Sequence, residues 1–256
     1  MPRSIWNGTI TFGMVNVPVK LYSATESKTV HFQEVHIKDG SKIEHRRICP
    51  KEDKEVPYKE IVKGYEVADG EYVVLEKEEV TAAAGDRGKV IHLRDFVCAQ
   101  DIDPVFYEKN YYVGSRDEED SFRLLREALR KSERAGIGRF AFHDREYLVA
   151  VRAVDDVLVL HTLRFHDELV SGDELEIEGG VHKPSQKEVQ MASQLVGALA
   201  ADFEPSAFED SYRDAVLDLI KRKSKGEEID LVAQEEPAQG DDLAAALEAS
   251  LAGARS

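Results

Sequence analysis

The stretch Ser4-Ile-Trp-Asn-Gly-Thr-Ile-Thr-Phe-Gly-Met-Val-Asn-Val-Pro-Val-Lys-Leu-Tyr22 decides the fold class. Val15, Val17, Val19 and Leu21 alternate with Asn16, Pro18 and Lys20. A period of two sends one set of side chains into a core and the other outward. Gly8 and Gly13 stand beside β-forming residues, and the single tryptophan, Trp6, lies in the same stretch. Pro18 has no amide proton to give a ladder, which suits an edge strand or a bulge. The reading is an opening pair of β-strands with Lys20 on the outward face.

Downstream of Tyr22 the pattern changes. From about Lys28 to Gly64 the chain is polar and charge-mixed, with Lys38, Lys42, Arg46, Arg47, Lys51, Lys54, Lys59 and Lys63. Its apolar residues are too sparse for a core. Val35, Ile37 and Ile43 fit a hairpin turning at Asp39-Gly40. Such a segment is either a solvated excursion or a thin cationic protrusion that tracks phosphates. On a helix, Lys59 and Lys63, four apart, would share a face.

Glu71 to Leu75, Val90 to Val97 and Tyr107 to Val113 read as further strands. Ser121 then reads as a helix N-cap, with Phe122, Leu125 and Leu129 on one face and Gly136 and Gly138 at the end. Arg139 to Phe142, Tyr147 to Val151 and Val157 to Phe165 read as strands, the last two divided by a tight Asp155-Asp156 turn. Ser185 with Glu188 makes a capping box. The helix after it carries Val189, Ala192, Leu195 or Val196, Leu199 and Phe203 on one side and is broken by Pro205. A second helix, about Ser211 to Lys225, includes Leu219, with Gly226 as its C′ residue. Two amphipathic helices after a β-rich body cover either that body or a partner subunit. From Glu227 onward eight acidic residues stand against one base, Arg255, which predicts disorder. Within it, Asp241 to Leu251 reads as a short helix with Leu243, Leu247 and Leu251 in one stripe. That stripe either packs back on its own domain or fills a partner's groove.

At 256 residues the chain holds one large domain or two small ones, and 42% hydrophobic residues suffice for a core. No apolar run of membrane-spanning length and no signal segment is present, so a cytoplasmic protein is expected. Two cysteines, Cys49 and Cys98, fit a reducing compartment. The formal net charge of -16 argues against a polyanion partner. Its distribution softens the objection, because residues 1–64 carry +3 and the remainder -19.

Little chemistry announces itself. There is no P-loop and no nucleophile elbow, and Gly136-Ile137-Gly138 lacks the third glycine of a dinucleotide turn. His31, His36, His45 and Cys49 match no zinc spacing, so no metal and no cofactor are expected. A metal-dependent nuclease using carboxylates near Asp155 and a pure protein-interaction scaffold are the alternative classes.

The order Trp-x-Gly-x-Ile-x-Phe-Gly-x-Val-x-Val-Pro-Val-Lys-Leu-Tyr resembles the opening of the prokaryotic Ku proteins. The resemblance continues through Val62-Lys63-Gly64-Tyr65-Glu66, Tyr111-Tyr112-Val113, Leu124 to Leu129 and Leu160-His161-Thr162-Leu163-Arg164-Phe165. It implies an α+β, mainly β fold: a Ku-type β-barrel core over 1–180, a DNA-encircling bridge inserted at about 28–95, and a helical C-terminal arm at 181–226. Residues 227–256 would be a flexible acidic tail with a short ligase-contact helix at 241–251. By the same resemblance the protein is not an enzyme. It is expected to form a homodimeric ring that binds double-stranded DNA ends without reading sequence. It would hand them to the bacterial multi-domain ATP-dependent end-joining ligase, in a cytoplasmic, nucleoid-associated setting.

The residues expected on DNA are Arg46, Arg47, Lys54, Lys59 and Lys63, then Lys38 and Lys42, with Lys20 on the channel wall. Val189, Leu195, Leu199, Phe203 and Leu219 are expected to serve the dimer arm, and Leu243, Leu247 and Leu251 the ligase contact. The chain lacks the paired cysteines that some relatives carry in the bridge, and the long Lys-rich tail of others.

Overall fold

Strand β1 (Trp6–Phe12) pairs antiparallel with β2 (Val15–Ser23), from Trp6 opposite Leu21 to Phe12 opposite Val15. Gly13 turns the chain between them at φ +56°, a conformation glycine enters without steric cost. The alternation holds: Val17, Val19 and Leu21 are buried, while Asn16 and Lys20 face away. In the computed structural model the described residues are 3–76, 89–116, 119–142, 145–172 and 185–227, with positions 78, 79, 247 and 250.

Five more strands complete a closed barrel: β7 (Val90–Cys98), β8 (Tyr107–Ser115), β9 (Arg134–Phe142), β10 (Arg145–Val154) and β11 (Val157–Leu163). The order around the barrel is β1-β2-β8-β11-β10-β9-β7. Every neighbouring pair is antiparallel except the closure, where β1 runs parallel to β7 from Thr9 opposite Val90 to Thr11 opposite His92. Closure removes sheet edges, so the expectation that Pro18 marks an edge strand is corrected. Pro18 lies opposite Thr9 on β1, and the β2–β8 ladder begins one residue later, at Val19 opposite Ser115. The Pro18 carbonyl faces the β8 side and accepts from the Arg116 amide at 3.1 Å. In an antiparallel strand a residue's nitrogen and carbonyl point to the same side. The missing donor therefore falls at the end of that ladder, where it costs least.

Ile10, Val17, Val19, Leu21, Ile91, Val149, Val151, Leu158 and Leu160 fill the barrel and are essentially inaccessible. Full burial of one such side chain stabilises by about 1.5–3 kcal/mol. Trp6 packs edge-on against Phe140 with ring centroids 5.0 Å apart. Gly8 is required beside it, since a Cβ there would collide with the Trp6 ring and the Lys89 carbonyl.

Helix α1 (Glu119–Ser132) sends Leu125 and Leu129 into the same core, with Phe122 packed alongside, as their spacing predicts. Its ends differ from expectation. The helix already includes Glu119, so Ser121 lies inside the first turn, and its buried hydroxyl has no hydrogen-bond partner among the described residues. Glu133, at φ +53°, closes the C-terminus. Gly136 and Gly138 belong to β9, where Gly138 lies too close to the His92 carbonyl for any side chain. Asp155 and Asp156 form the two-residue turn between β10 and β11, with Asp155 at φ +49°.

Between β2 and β7 lie two small ribbons: β3 (Ile48–Cys49) with β4 (Lys54–Glu55), and β5 (Lys63–Ala68) with β6 (Glu71–Leu75). Residues 90–95, expected in the insertion, lie in β7. The chain divides into two compact units, Met1–Ser27 with Gln33–Gly172, and Lys28–Phe32 with Asp173–Ser256.

The second unit contains α2 (Gln186–Ala198) and α3 (Ser211–Ser224). The capping box opens α2: the Glu188 amide donates to Ser185 Oγ at 3.3 Å, and the Ser185 amide donates to Glu188 Oε2 at 2.6 Å. Leu199 caps its end, so Phe203 lies past the helix rather than on it, and stacks on Phe208 at 5.7 Å. Gly226, at φ +81°, ends α3 as expected. Its amide donates to the Lys223 carbonyl and the Glu227 amide to that of Arg222.

Candidate nucleic-acid interface

From Thr25 to Glu76 no residue is buried, as the scarcity of apolar side chains requires. Local hydrogen bonds hold this segment instead. The turn at Asp39-Gly40 forms, but the hairpin is reduced to one bridge, Val35 opposite Lys42. Gly40 takes φ +71°, and the Asp39 carboxylate accepts from the Ser41 amide at 2.9 Å and lies 3.2 Å from His36 Nδ1. The hydrogen bonds from Ser41 hold the Asp39 carboxyl below its ordinary range. Lys38 is exposed within this turn.

Lys42, His45 and Arg46 line one open cleft of about 540 Å³ together with Ile43, Glu44 and Glu55. The cleft is not purely cationic. Arg46 donates to Glu55 at 3.4 Å and lies 3.9 Å from Glu44, and His45 lies 2.9 Å from Glu34. Arg47 stands over the Tyr58 ring, 5.2 Å from its centroid, and its carbonyl accepts from the Val56 amide. Lys54 sits on β4 opposite Cys49. Pairing of β3 with β4 thus brings Arg46, Arg47 and Lys54 onto one small ribbon.

Lys59 and Lys63 are not on one helix. Lys59 belongs to a short 3-10 turn, Tyr58–Glu60, and Lys63 opens β5 opposite Leu75. A helix face does not relate them, because Ile61 is already extended. Lys20 lies apart from the other seven, on the outer wall of the barrel between Asn7 of β1 and Gly114 of β8.

Two further outer-wall residues had no role assigned from sequence, Arg152 and His161. Arg152 Nε donates to His161 Nε2 at 3.0 Å, and His161 Nδ1 lies 2.7 Å from Asn110 Oδ1. Burial, and then the Arg152 charge, push the His161 pKa down to about 4. The available signal was the same alternation that found the core: Leu158 and Leu160 point in, so Val159 and His161 point out.

No three His, Cys, Asp or Glu side chains converge on a metal-sized site among the described residues. Also among them, no helix is long and apolar enough to cross a membrane. In the second unit neither α2 nor α3 buries a residue. Val189, Leu199, Phe203 and Leu219 are exposed, Phe203 at 78%, and Leu195 is half-buried. Of the expected ligase-contact residues, Leu247 is helical and half-buried, while Leu243 and Leu251 lie outside the described residues.

Comparison with known proteins matches the family model described as the Ku70/Ku80 beta-barrel domain over residues 11–191. A relative from Anaeromyxobacter sp. (strain K), named "Non-homologous end joining protein Ku", is 45% identical across all of this chain and 87% of its own length. Proteins of the same name from Solibacter usitatus and Bacillus subtilis are 38% and 34% identical, with 96% and 81% of their lengths covered. A closed seven-strand barrel, matched motifs spread along the chain and near full-length relatives lead to one conclusion: the chain belongs to the Ku family.

Proposed function

We propose that two copies of this chain form a ring that takes double-stranded DNA ends without reading sequence and passes them to the bacterial ATP-dependent end-joining ligase in double-strand break repair. The observation that carries the reading is the insertion between β2 and β7. It presents Lys38, Lys42, Arg46, Arg47, Lys54, Lys59 and Lys63 on turns and short ribbons with no core of their own. Spaced cations on a thin support suit a phosphate backbone, where each contact releases counterions. Base readout would need convergent bidentate donors in the major groove; a sequence-blind ring needs none.

Self-association is supported by uncovered apolar surface in two places. The β5–β6 ribbon exposes Tyr65, Val67, Tyr72, Val73 and Val74. An isolated two-stranded ribbon is marginal in water and gains from a covering surface. The arm exposes Val189, Val196, Leu199, Phe203, Phe208 and Tyr212. Apolar exposure on that scale marks an interaction site. The ligase role is assigned to the Leu243, Leu247 and Leu251 stripe.

The test compares linear duplex with covalently closed circles of the same sequence. Strong retention of the linear form and weak retention of the closed form is expected, because a ring threads only onto an end. Equal binding to both would remove the ring. Cleavage of plasmid on adding divalent metal would favour the nuclease alternative.

A further inference from the structure

The barrel's outer wall carries cations that nothing among the described residues neutralises. Val19 and Leu21 point into the core, so Lys20 and Tyr22 point out. By the same alternation Asn110 and Tyr112 of β8, Val159 and His161 of β11, and Arg152 of β10 point outward, with Arg152 three strands around the closed barrel from Lys20. The pairing runs in a row: Tyr22 opposite Tyr112, Tyr112 opposite Val159, Val159 opposite Arg152. The chain has 50 acidic residues against 34 basic ones, yet among the described residues neither Arg152 nor Lys20 has a carboxylate partner.

Arg152 is nonetheless held. A guanidinium only donates, so His161 Nε2 carries the lone pair and its proton resides on Nδ1, donated to Asn110 Oδ1. The Tyr107 ring closes edge-on at 4.9 Å, and the imidazole is 6% exposed. A neutral imidazole fixes the guanidinium without cancelling its charge, which a carboxylate would do. The Nη groups keep their donors for an outside acceptor, and a phosphate takes two of them in parallel.

We propose that Arg152 is a preset contact for the phosphate backbone on the barrel wall, and that His161 is the positioning residue that aims it. This rests on the DNA-end reading above and adds a second cationic surface to the insertion. His161 touches no phosphate in this scheme; it acts through Arg152.

The experiment uses the full chain and a labelled linear duplex, with affinity measured from 50 to 200 mM salt and thermal stability measured alongside. Arg152→Gln is expected to fold as the parent does and to lower the salt slope by about 0.9 per chain, roughly a threefold smaller affinity loss over that range. His161→Leu removes the acceptor and is expected to weaken binding, whereas His161→Gln, whose amide oxygen accepts from Arg152, restores most of it. Arg152→Lys keeps the charge without the Nε–H, and is expected to keep the slope while binding several-fold more weakly. It also serves if Arg152→Gln does not fold.

An unchanged slope and affinity in Arg152→Gln would overturn the proposal, while loss of binding in an Arg46/Arg47 charge reversal would show the DNA reading intact. A parent protein that ignores linear duplex would sink that reading itself. If His161→Leu only lowers the melting temperature, its role is structural and the positioning claim fails. If Arg152→Gln instead abolishes self-association, the face joins copies of the chain and the phosphate contact is refuted.

Discussion

Reversing Arg46 and Arg47 together is the most direct perturbation of the proposed DNA contact. Both guanidiniums lie on the β3–β4 ribbon or beside it, and neither reaches the barrel core. The double variant Arg46→Glu, Arg47→Glu should therefore fold and self-associate normally. Each lost phosphate contact removes about 0.9 from the slope of log K against log salt, so two remove about 1.8 per chain. Across a fourfold salt range, 50 to 200 mM, that is roughly a twelvefold difference in salt-dependent loss. The two new carboxylates add repulsion, so end binding should be undetectable at the upper salt. Fluorescence anisotropy on a labelled linear duplex at several salt concentrations reads both quantities. Glu55→Gln is the opposing arm: it takes away the carboxylate that holds Arg46 at 3.4 Å and should tighten binding several-fold. A salt slope and affinity equal to the parent in the double variant would refute the placement of DNA on this ribbon.

Deleting residues 241–256 should leave DNA affinity intact and abolish stimulation of the ligase, measured as joined linear product per unit time. Leu199→Glu, in the exposed arm, should shift the protein to single copies by light scattering while the barrel keeps its far-ultraviolet circular dichroism. Gly8→Ala should destabilise by more than about 3 kcal/mol or prevent folding, because its methyl group meets the Trp6 ring and a backbone carbonyl that cannot move away; chemical denaturation measures this. His161 gives a pH signature. Its folded pKa, about 4, lies below the unfolded value of about 6.5, so the unfolded chain binds the proton first. The stability is complete above pH 6.5 and is lost as pH falls toward 4, by at most about 3 kcal/mol. Arg152, Asn110 and Tyr107 face the ring, and Glu108 lies next to Thr162. The measure is the difference between the parent and His161→Gln, which isolates this ring from every other group.

What was legible in the sequence was local. Val15 to Leu21 announced a strand through its period of two, Ser185 and Glu188 announced a helix start through a reciprocal hydrogen bond, and Leu125 and Leu129 announced a buried face. Signals with two physical meanings misled. Glycine can end a helix or allow two strands to approach, and Gly136 and Gly138 do the second. A serine before a helical run can cap it or lie inside it, and Ser121 lies inside. Pro18 read as an edge because nothing local reveals that β2 will pair with β8 some ninety residues later. The site suffered from the same limit. The ion pair between Arg46 and Glu55 depends on a ribbon only two residue pairs long, and Arg152 meets His161 only through strand register.

The net charge of -16 and the proposed partner are reconciled by where charge is spent, not by its sum. Arg46 is already bound to Glu55 and Glu44, so a phosphate gains only the difference between two partners. Exposed ion pairs of this kind contribute less than about 1 kcal/mol, which makes the exchange easy and each contact weak. Weak, exchangeable contacts would be a poor way to hold a free ligand and a good way to hold one that is already threaded. In the proposed ring, departure requires sliding back off an end, so retention does not depend on any one cation. The same weakness lets the ring move along the duplex. In that proposed ring, acidic surface elsewhere repels DNA from faces that cannot thread it, and the duplex is left to the insertion, where cations exchange weakly held carboxylates for phosphate.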